Sequence, residues 1–235
     1  MVREQFPQAQ SDPAQNCPPL QSGDHLTRPE FERRYAAAPH IRKAELIEGI
    51  VYVASPLRHE QHGKPHSRIM TWLGVYQAMT PDVDLSDAPT VRLDLDNEPQ
   101  PDAVLFIESA AGRQTRISSD GYIEGSPELI VEIAVSSAAI DTGIKKQVYR
   151  RNGVLEYIVW QSYENQLEWF VLTEGEYQRF PSDSAGIIRS QTFPGLWLAV
   201  PALLSNQMAQ VLEVLQVGLQ SPERRKFVER LEKAK

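Results

Sequence analysis

Two short apolar runs, one interrupted by an acid and one opened by an acid, dominate the hydrophobic pattern of the chain. The run at 127–135 is rich in β-branched residues and bounded by turn-forming residues, which predicts a buried strand with Glu132 at its centre. The run at 101–107 predicts a second strand that opens with Asp102. Alternation along the first run places Glu132 on an otherwise apolar face, where an ionised carboxylate is costly unless a positive group meets it. We therefore expect a charged partner for Glu132.

Helical and strand periodicities in the N-terminal half predict an α/β (α+β) fold class. Thr27 and Glu30 have the capping-box spacing of a helix start, and Glu48-Gly49 is typical of the tight turn of a hairpin. The predicted elements are a helix over 29–37, a hairpin over 44–53, a largely helical segment over 58–79 that becomes regular at Pro65, and a half-exposed strand over 90–95.

The C-terminal half predicts a helix followed by a meander of strands. A polar loop is expected at 110–124, and a helix over 137–151 that ends at Asn152-Gly153. Further strands are predicted over 155–160, 166–172, 176–180 and 187–190, and helices over 202–215 and 222–235, the last one mostly solvated. The polar, Pro-rich residues 1–24 predict a disordered leader, followed by one domain over 25–200 and C-terminal helices over 201–235.

Composition and charge narrow the classes of function. The chain has 235 residues, of which 41% are hydrophobic, and this suffices for one sizeable domain. We expect no membrane span, no secretory signal and no internal disulfide for the single Cys17, so the sequence is consistent with a cytoplasmic protein. The net charge of −7 argues against tight, sequence-blind binding to nucleic acid, because such binding relies on a basic face.

The two strand acids and a downstream lysine suit metal-assisted hydrolysis of a phosphodiester. Asp102 and Glu132 can hold a Mg²⁺ ion, which polarises the phosphate and lowers the pKa of a bound water. Lys145 can orient that water or stabilise the charge of the transition state. The three histidines between 59 and 66 lack the HExxH arrangement, so no zinc site is expected there.

Several short motifs, in this order and spacing, resemble the Uma-type family of restriction-endonuclease-like proteins in the PD-(D/E)xK nuclease superfamily. They are Glu45-Leu46-Ile47-Glu48-Gly49, Ser55-Pro56 with His62-Gly63, Pro101-Asp102, and the segments 127–133, 141–149 and 153–157. The resemblance covers residues 27–215. It implies a restriction-endonuclease-like core with a central mixed β-sheet flanked by helices, a Mg²⁺ cofactor that Mn²⁺ can replace, and DNA as the nucleic-acid partner.

The sequence departs from the superfamily pattern at one position. The lysine expected two residues after Glu132 is replaced by Ala134. The resemblance implies that this lysine has moved to the following helix, where Lys145 occupies its place. Helical spacing puts Asp141, Lys145 and Tyr149 on one face, which can look at the end of the strand.

The same resemblance implies two further contributions to the metal site. Glu45 is the glutamate that the family draws from the region of the N-terminal helix or hairpin, and the backbone carbonyl of Ile133 is a neutral ligand. The predicted catalytic set is Asp102, Glu132, Lys145 and Glu45, and the predicted metal ligands are Asp102, Glu132 and Ile133.

Simpler structural roles stay open at this stage. Asp102 alone fits an acid at a strand entry, Lys145 fits a surface lysine whose i,i+4 pair with Asp141 contributes about 0.3–0.5 kcal/mol, and Tyr149 fits a core residue.

The main hypothesis is a Mg²⁺-dependent endonuclease, a hydrolase acting on DNA phosphodiester bonds. The alternative is a catalytically inactive nuclease fold that serves as a binding or assembly module. Nothing in the sequence separates DNA from RNA, and fold analogy alone suggests a homodimer.

Overall fold

The computed structural model describes residues 17–108, 114–135 and 138–234. Its strands are β1 (Ala44–Ile47), β2 (Ile50–Val53), β3 (Val83–Asp87), β4 (Val91–Arg92), β5 (Ala103–Ile107), β6 (Thr115–Ile117), β7 (Ile123–Gly125), β8 (Leu129–Ala134), β9 (Glu156–Gln161), β10 (Gln166–Thr173), β11 (Glu176–Arg179), β12 (Ile187–Arg189) and β13 (Trp197–Ala199).

The helices are α1 (Arg28–Ala36), α2 (Lys64–Met79), α3 (Ala138–Ile140), α4 (Lys146–Arg151), α5 (Val200–Leu204), α6 (Met208–Leu219) and α7 (Pro222–Glu232). One π-helical turn, His59–Gly63, leads into α2, and a second, Asp141–Lys145, joins α3 to α4. No helix in the described ranges is long and apolar enough to cross a membrane.

A six-stranded mixed sheet in the order β11-β10-β9-β8-β5-β3 forms the centre of the molecule. β8 pairs in parallel with β9 and antiparallel with β5, and every residue of β8 is buried. The sequence of β8 is almost continuously apolar because both faces of the sheet are covered at this strand. Helices α2, α6 and α7 cover one face, while α4 covers the face that carries Glu132. The predicted mixed sheet flanked by helices is confirmed.

The N-terminal hairpin forms as predicted and packs beside the sheet. Glu48 and Gly49 both have positive φ, at 53° and 72°, as the tight turn between β1 and β2 requires. The hairpin is tied to the segment before β5 through the amides of Leu46 and Glu98, which exchange backbone hydrogen bonds. These ties bring Glu45 near the start of β5.

The structure corrects two predictions in the segment 90–124. The predicted strand over 90–95 is wrong beyond β4, because the side chain of Asp94 accepts hydrogen bonds from Asp96 and Asn97 and turns the chain. The predicted polar loop contains β6 and β7, which join β4 in a small three-stranded sheet. Opposed Arg116 and Glu124 form an ion pair across β6 and β7, so polar residues occupy these strands without cost to the core. Residues 109–113 of that predicted loop lie outside the described residues.

Three helices differ in detail from the prediction. The helix predicted over 202–215 is divided into α5 and α6, because Asn206 adopts a left-handed backbone conformation with φ of 60°. Thr27 stands at the start of α1 but makes no side-chain capping bond; Glu30 pairs with Arg33 and Arg34 instead. The helix predicted over 137–151 contains a π-helical turn, and its first residue lies outside the described residues.

The division into leader, domain and C-terminal helices stays a prediction. Residues 1–16 of the predicted leader lie outside the described residues. Within the rest of it, Leu20 is buried in a small cluster with Phe31 and Val51, and the amide of Gly23 donates to the carbonyl of Val51. Buried Phe227 and Leu231 attach the solvated C-terminal helix α7 to the main core.

Candidate active site

All the predicted site residues line one cleft of about 720 Å³. Glu45 comes from β1, Asp102 stands immediately before β5, Glu132 and Ile133 lie in β8, and Lys145 ends the second π-helical turn. Four separate elements therefore converge on one place. A π-helical turn widens the local helix, and such turns occur frequently at functional sites.

Lys145 lies at the centre of a buried ion cluster. Its ammonium is 2.6 Å from a carboxylate oxygen of Glu132, 2.9 Å from Glu45 and 3.5 Å from Asp141, and its side chain is 2% exposed. Burial alone would lower the pKa of Lys145, but the three carboxylates raise it well above the ordinary value of a lysine. Lys145 is therefore a fixed positive charge, and the interpretation of it as an ordinary surface lysine is wrong.

Glu132 is the acid whose charge the site supports least. Burial, together with the neighbouring carboxylates of Asp141, Asp102 and Glu45, raises the pKa of Glu132 to about 8 against the attraction of Lys145. The hydroxyl of Tyr149 donates a hydrogen bond of 2.7 Å to the same carboxylate. Glu132 thus has the charged partner that its place in an apolar strand required.

Asp102 is held as a carboxylate by groups on two sides. Its Oδ1 lies 3.0 Å from Nε2 of His62 and 3.5 Å from the ammonium of Lys43, and its Oδ2 accepts the amide hydrogen of Ile133 at 2.7 Å. Burial opposes ionisation, but these neighbours hold the pKa of Asp102 well below its usual value. Asp102 and Glu132, close together in the sheet, therefore have opposite tendencies to ionise.

Glu45 joins the hairpin to the cluster. Its Oε1 accepts hydrogen bonds from Lys145 at 2.9 Å and from the amide of Gln100 at 2.8 Å. The structure places the amide of Ile133 against Asp102, whereas the metal-ligand role of the Ile133 carbonyl stays a prediction.

Four residues of the site were not among the predicted site residues, and one of them is Asp141, which lies 3.5 Å from the ammonium of Lys145. His62 and Lys43 contact Asp102 from 40 and 59 residues away in sequence, and Tyr149 contacts Glu132. His62 stood in one of the family motifs, and Tyr149 on the predicted face with Lys145, so both had a visible pattern. Lys43 had none, because only the fold brings it to Asp102.

The oxygen ligands in the cleft are of the chemical type that a hard divalent cation prefers. Negative charge is in excess among the described residues that line the cleft. They include the four carboxylates of Glu45, Asp102, Glu132 and Asp141 and the three cations of Lys43, Arg58 and Lys145. Oxygen donors of this kind suit Mg²⁺ or Mn²⁺. Burial is the main cause of the raised pKa of Glu132, the neighbouring carboxylates add to it, and a bound cation would counter both effects.

The present arrangement of these acids is that of an ion cluster. Among the described residues, no three His, Cys, Asp or Glu side chains are placed so that they could hold a metal ion. The reason at Glu132 is that the ammonium of Lys145 lies between it, Glu45 and Asp141. Metal binding at Glu132 therefore requires Lys145 to loosen part of this contact.

Comparisons with known proteins identify a family and a similar fold. The model of the Uma2 family, described as "Putative restriction endonuclease", matches residues 28–201. A crystal structure from Anabaena variabilis, titled as that of "a putative nuclease belonging to DUF820", is similar with a TM-score of 0.55 and 15% sequence identity. The similarity covers 69% of this chain and 89% of that one, and at this identity it shows the fold alone. None of the curated proteins compared with the chain matches it.

Proposed function

The chain belongs to the Uma2 family, and from this premise we propose that it is a metal-dependent endonuclease that hydrolyses phosphodiester bonds of DNA. One observation carries the proposal: Asp102, Glu132 and Lys145, drawn from three elements, line the same cleft. Neither a surface role for Lys145 nor a solvent-facing role for Glu132 accounts for this convergence.

The metal would be held by the carboxylates of Asp102 and Glu132 with the carbonyl of Ile133, and Glu45 would assist. Bound Mg²⁺ supplies a Lewis acid that polarises the phosphate and lowers the pKa of a water. Asp102 suits the role of metal ligand because His62, Lys43 and the backbone keep its carboxylate ionised. Mn²⁺ is expected to replace Mg²⁺, since both take oxygen ligands.

Lys145 acts in this proposal as a charge and a hydrogen-bond donor. Its three carboxylate neighbours keep it protonated, so it cannot accept a proton from the attacking water. It can donate to that water and to the charge that develops on the phosphate. The water oxygen forms a bond to phosphorus as the bond to one ester oxygen breaks, and the products are a phosphomonoester and a free hydroxyl.

The experiment is a cleavage assay on labelled DNA with Mg²⁺, Mn²⁺ or EDTA. Wild-type protein should cut with either metal and not in EDTA, whereas Asp102→Asn should not cut. Asp82→Asn is the matched control, because it alters the other Pro-Asp dipeptide outside the cleft at a left-handed position that asparagine tolerates. Equal cleavage by wild type and Asp102→Asn would exclude the proposed site.

A second function has one observation in its favour. The closed cluster around Lys145, 2% exposed, is also what a catalytically inactive binding or assembly module would retain for stability. The cleavage assay and a Mn²⁺ titration together separate the two functions, because such a module neither cuts DNA nor binds Mn²⁺. Pairing of two chains for a double-strand cut remains a proposal from fold analogy.

A further inference from the structure

The mouth of the cleft carries two large apolar side chains that the catalytic proposal does not use. Leu57 is 63% exposed and Tyr163 is 60% exposed, and both line the same cleft as Asp102 and Glu132. Single exposed apolar residues are ordinary on protein surfaces. Two such residues at the mouth of the cleft that holds the proposed catalytic residues indicate a ligand with an apolar face.

The two residues are presented by short connections with anchored ends. Tyr163 stands in the tight turn between β9 and β10, whose first residue, Ser162, donates its amide to the carbonyl of Ala134 in β8. Leu57 precedes Arg58, whose carbonyl accepts the amides of His62 and Gly63 at 3.0 and 3.2 Å. The exposed side chain of Arg58 lines the cleft beside Leu57.

The charge of the cleft disfavours a duplex as ligand. Duplex binding draws its affinity from many contacts between cations and phosphates. Among the described residues that line the cleft, Lys43, Arg58 and Lys145 are the cations, against four carboxylates, and Lys145 is enclosed. The whole chain carries a net charge of −7. Affinity must therefore come mainly from uncharged contacts.

Base stacking supplies such contacts, and it selects for unpaired nucleotides. An aromatic ring can stack on a base only where that base has left its neighbours in the strand, and stacking is nearly independent of sequence. We infer that Tyr163 and Leu57 form a subsite for an unpaired nucleobase next to the scissile phosphate, so that the substrate is single-stranded or locally unpaired nucleic acid. This inference rests on the proposed function, whose catalytic residues define the scissile position.

In this arrangement Arg58 binds a phosphate that flanks the stacked base. Arginine suits this role because its planar fork binds phosphate oxygens in pairs. With one or two phosphate contacts, binding should weaken only modestly with salt: the slope of log K against log salt should be about −1.

The test measures binding apart from cleavage. Fluorescein-labelled 12-residue oligothymidylate, the same sequence in a duplex, and single-stranded RNA of equal length are titrated with protein in Ca²⁺, which takes oxygen ligands in a looser geometry than Mg²⁺. Anisotropy should show that the single strands bind at least about tenfold more tightly than the duplex. Tyr163→Ala should lose about tenfold in affinity for single strands, and Leu57→Ala a smaller amount.

Tyr163→Phe is the matched control, because it keeps the ring and should bind within about twofold of wild type. Unchanged binding by Tyr163→Ala, or tighter binding to the duplex, would overturn the inference. A protein that cuts duplex DNA equally with and without the Tyr163 ring would retain the proposed function and lose the substrate class. If wild type binds single strands through the Tyr163 ring but does not cut them in Mg²⁺, the nucleobase subsite stands and the proposed function fails.

Discussion

Replacing Lys145 by methionine removes the cation that three buried carboxylates share. Methionine keeps the apolar stem of the side chain, so the change chiefly removes charge and leaves little cavity. The partners lie at 2.6, 2.9 and 3.5 Å from the ammonium, and the lysine side chain is 2% exposed, so solvent cannot replace it. Removing one partner of a buried pair destabilises by about 3–5 kcal/mol.

Urea denaturation measures this loss. With a slope of about 2–3 kcal/mol per molar, the midpoint of Lys145→Met should fall by about 1–2 M at pH 8. The loss should be smaller at pH 5, because Glu132, whose pKa burial already raises in the wild type, loses the ammonium that favours its ionised form and takes up a proton there. Lys64→Met is the control: Lys64 has one exposed partner, Glu60, and its removal should change the midpoint little.

The divalent ion gives the same variant a second test. Mg²⁺ should restore stability to Lys145→Met by more than it stabilises wild type, since a cation replaces the missing charge. If Lys145→Met unfolds at the same urea concentration as Lys64→Met at pH 8, the reasoning that couples these charges is refuted.

The remaining predictions concern groups around this cluster. His62→Ala should weaken Mn²⁺ binding by about 10- to 100-fold in a calorimetric titration, whereas His59→Ala should leave it unchanged. Tyr149→Phe and Tyr157→Phe should each lose about 1–2 kcal/mol of stability, but only Tyr149→Phe should slow cleavage, because only its hydroxyl contacts a proposed ligand. Burial and a neighbouring glutamate raise the pKa of Glu98 to about 8, so the folded state holds this proton more tightly than the unfolded state and loses stability as the pH rises from about 5 to 8. Urea titrations should therefore show Glu98→Gln gaining stability relative to wild type over that range; a constant difference would contradict this.

The sequence was most informative where burial and alternation act on single elements. The apolar run around Glu132 predicted β8 because a strand covered on both faces must be apolar on both. The place of Lys145 followed from the family resemblance, and its spacing to Asp141 and Tyr149 indicated a shared face. Local pattern thus predicted the main acids, and the resemblance predicted the lysine.

Contacts between distant segments could not be predicted in this way. His62 and Lys43 meet Asp102 only because the first π-helical turn and the hairpin pack against the start of β5. Strands β6 and β7 of the small sheet were missed because polar residues, such as the ion pair of Arg116 with Glu124, occupy them in place of an apolar alternation. These features depend on packing between segments that are far apart in the sequence, so the pattern of neighbouring residues does not predict them.

The central claim is that Asp102 and Glu132 form a metal site that cuts nucleic acid. The most direct measurement is a Mn²⁺ titration of wild type and Asp102→Asn, run beside cleavage of labelled DNA by the same preparations. The account predicts Mn²⁺ binding and metal-dependent cleavage by wild type, and the loss of both in Asp102→Asn. Cleavage in EDTA, or Mn²⁺ binding that is equal in the two proteins, would contradict it.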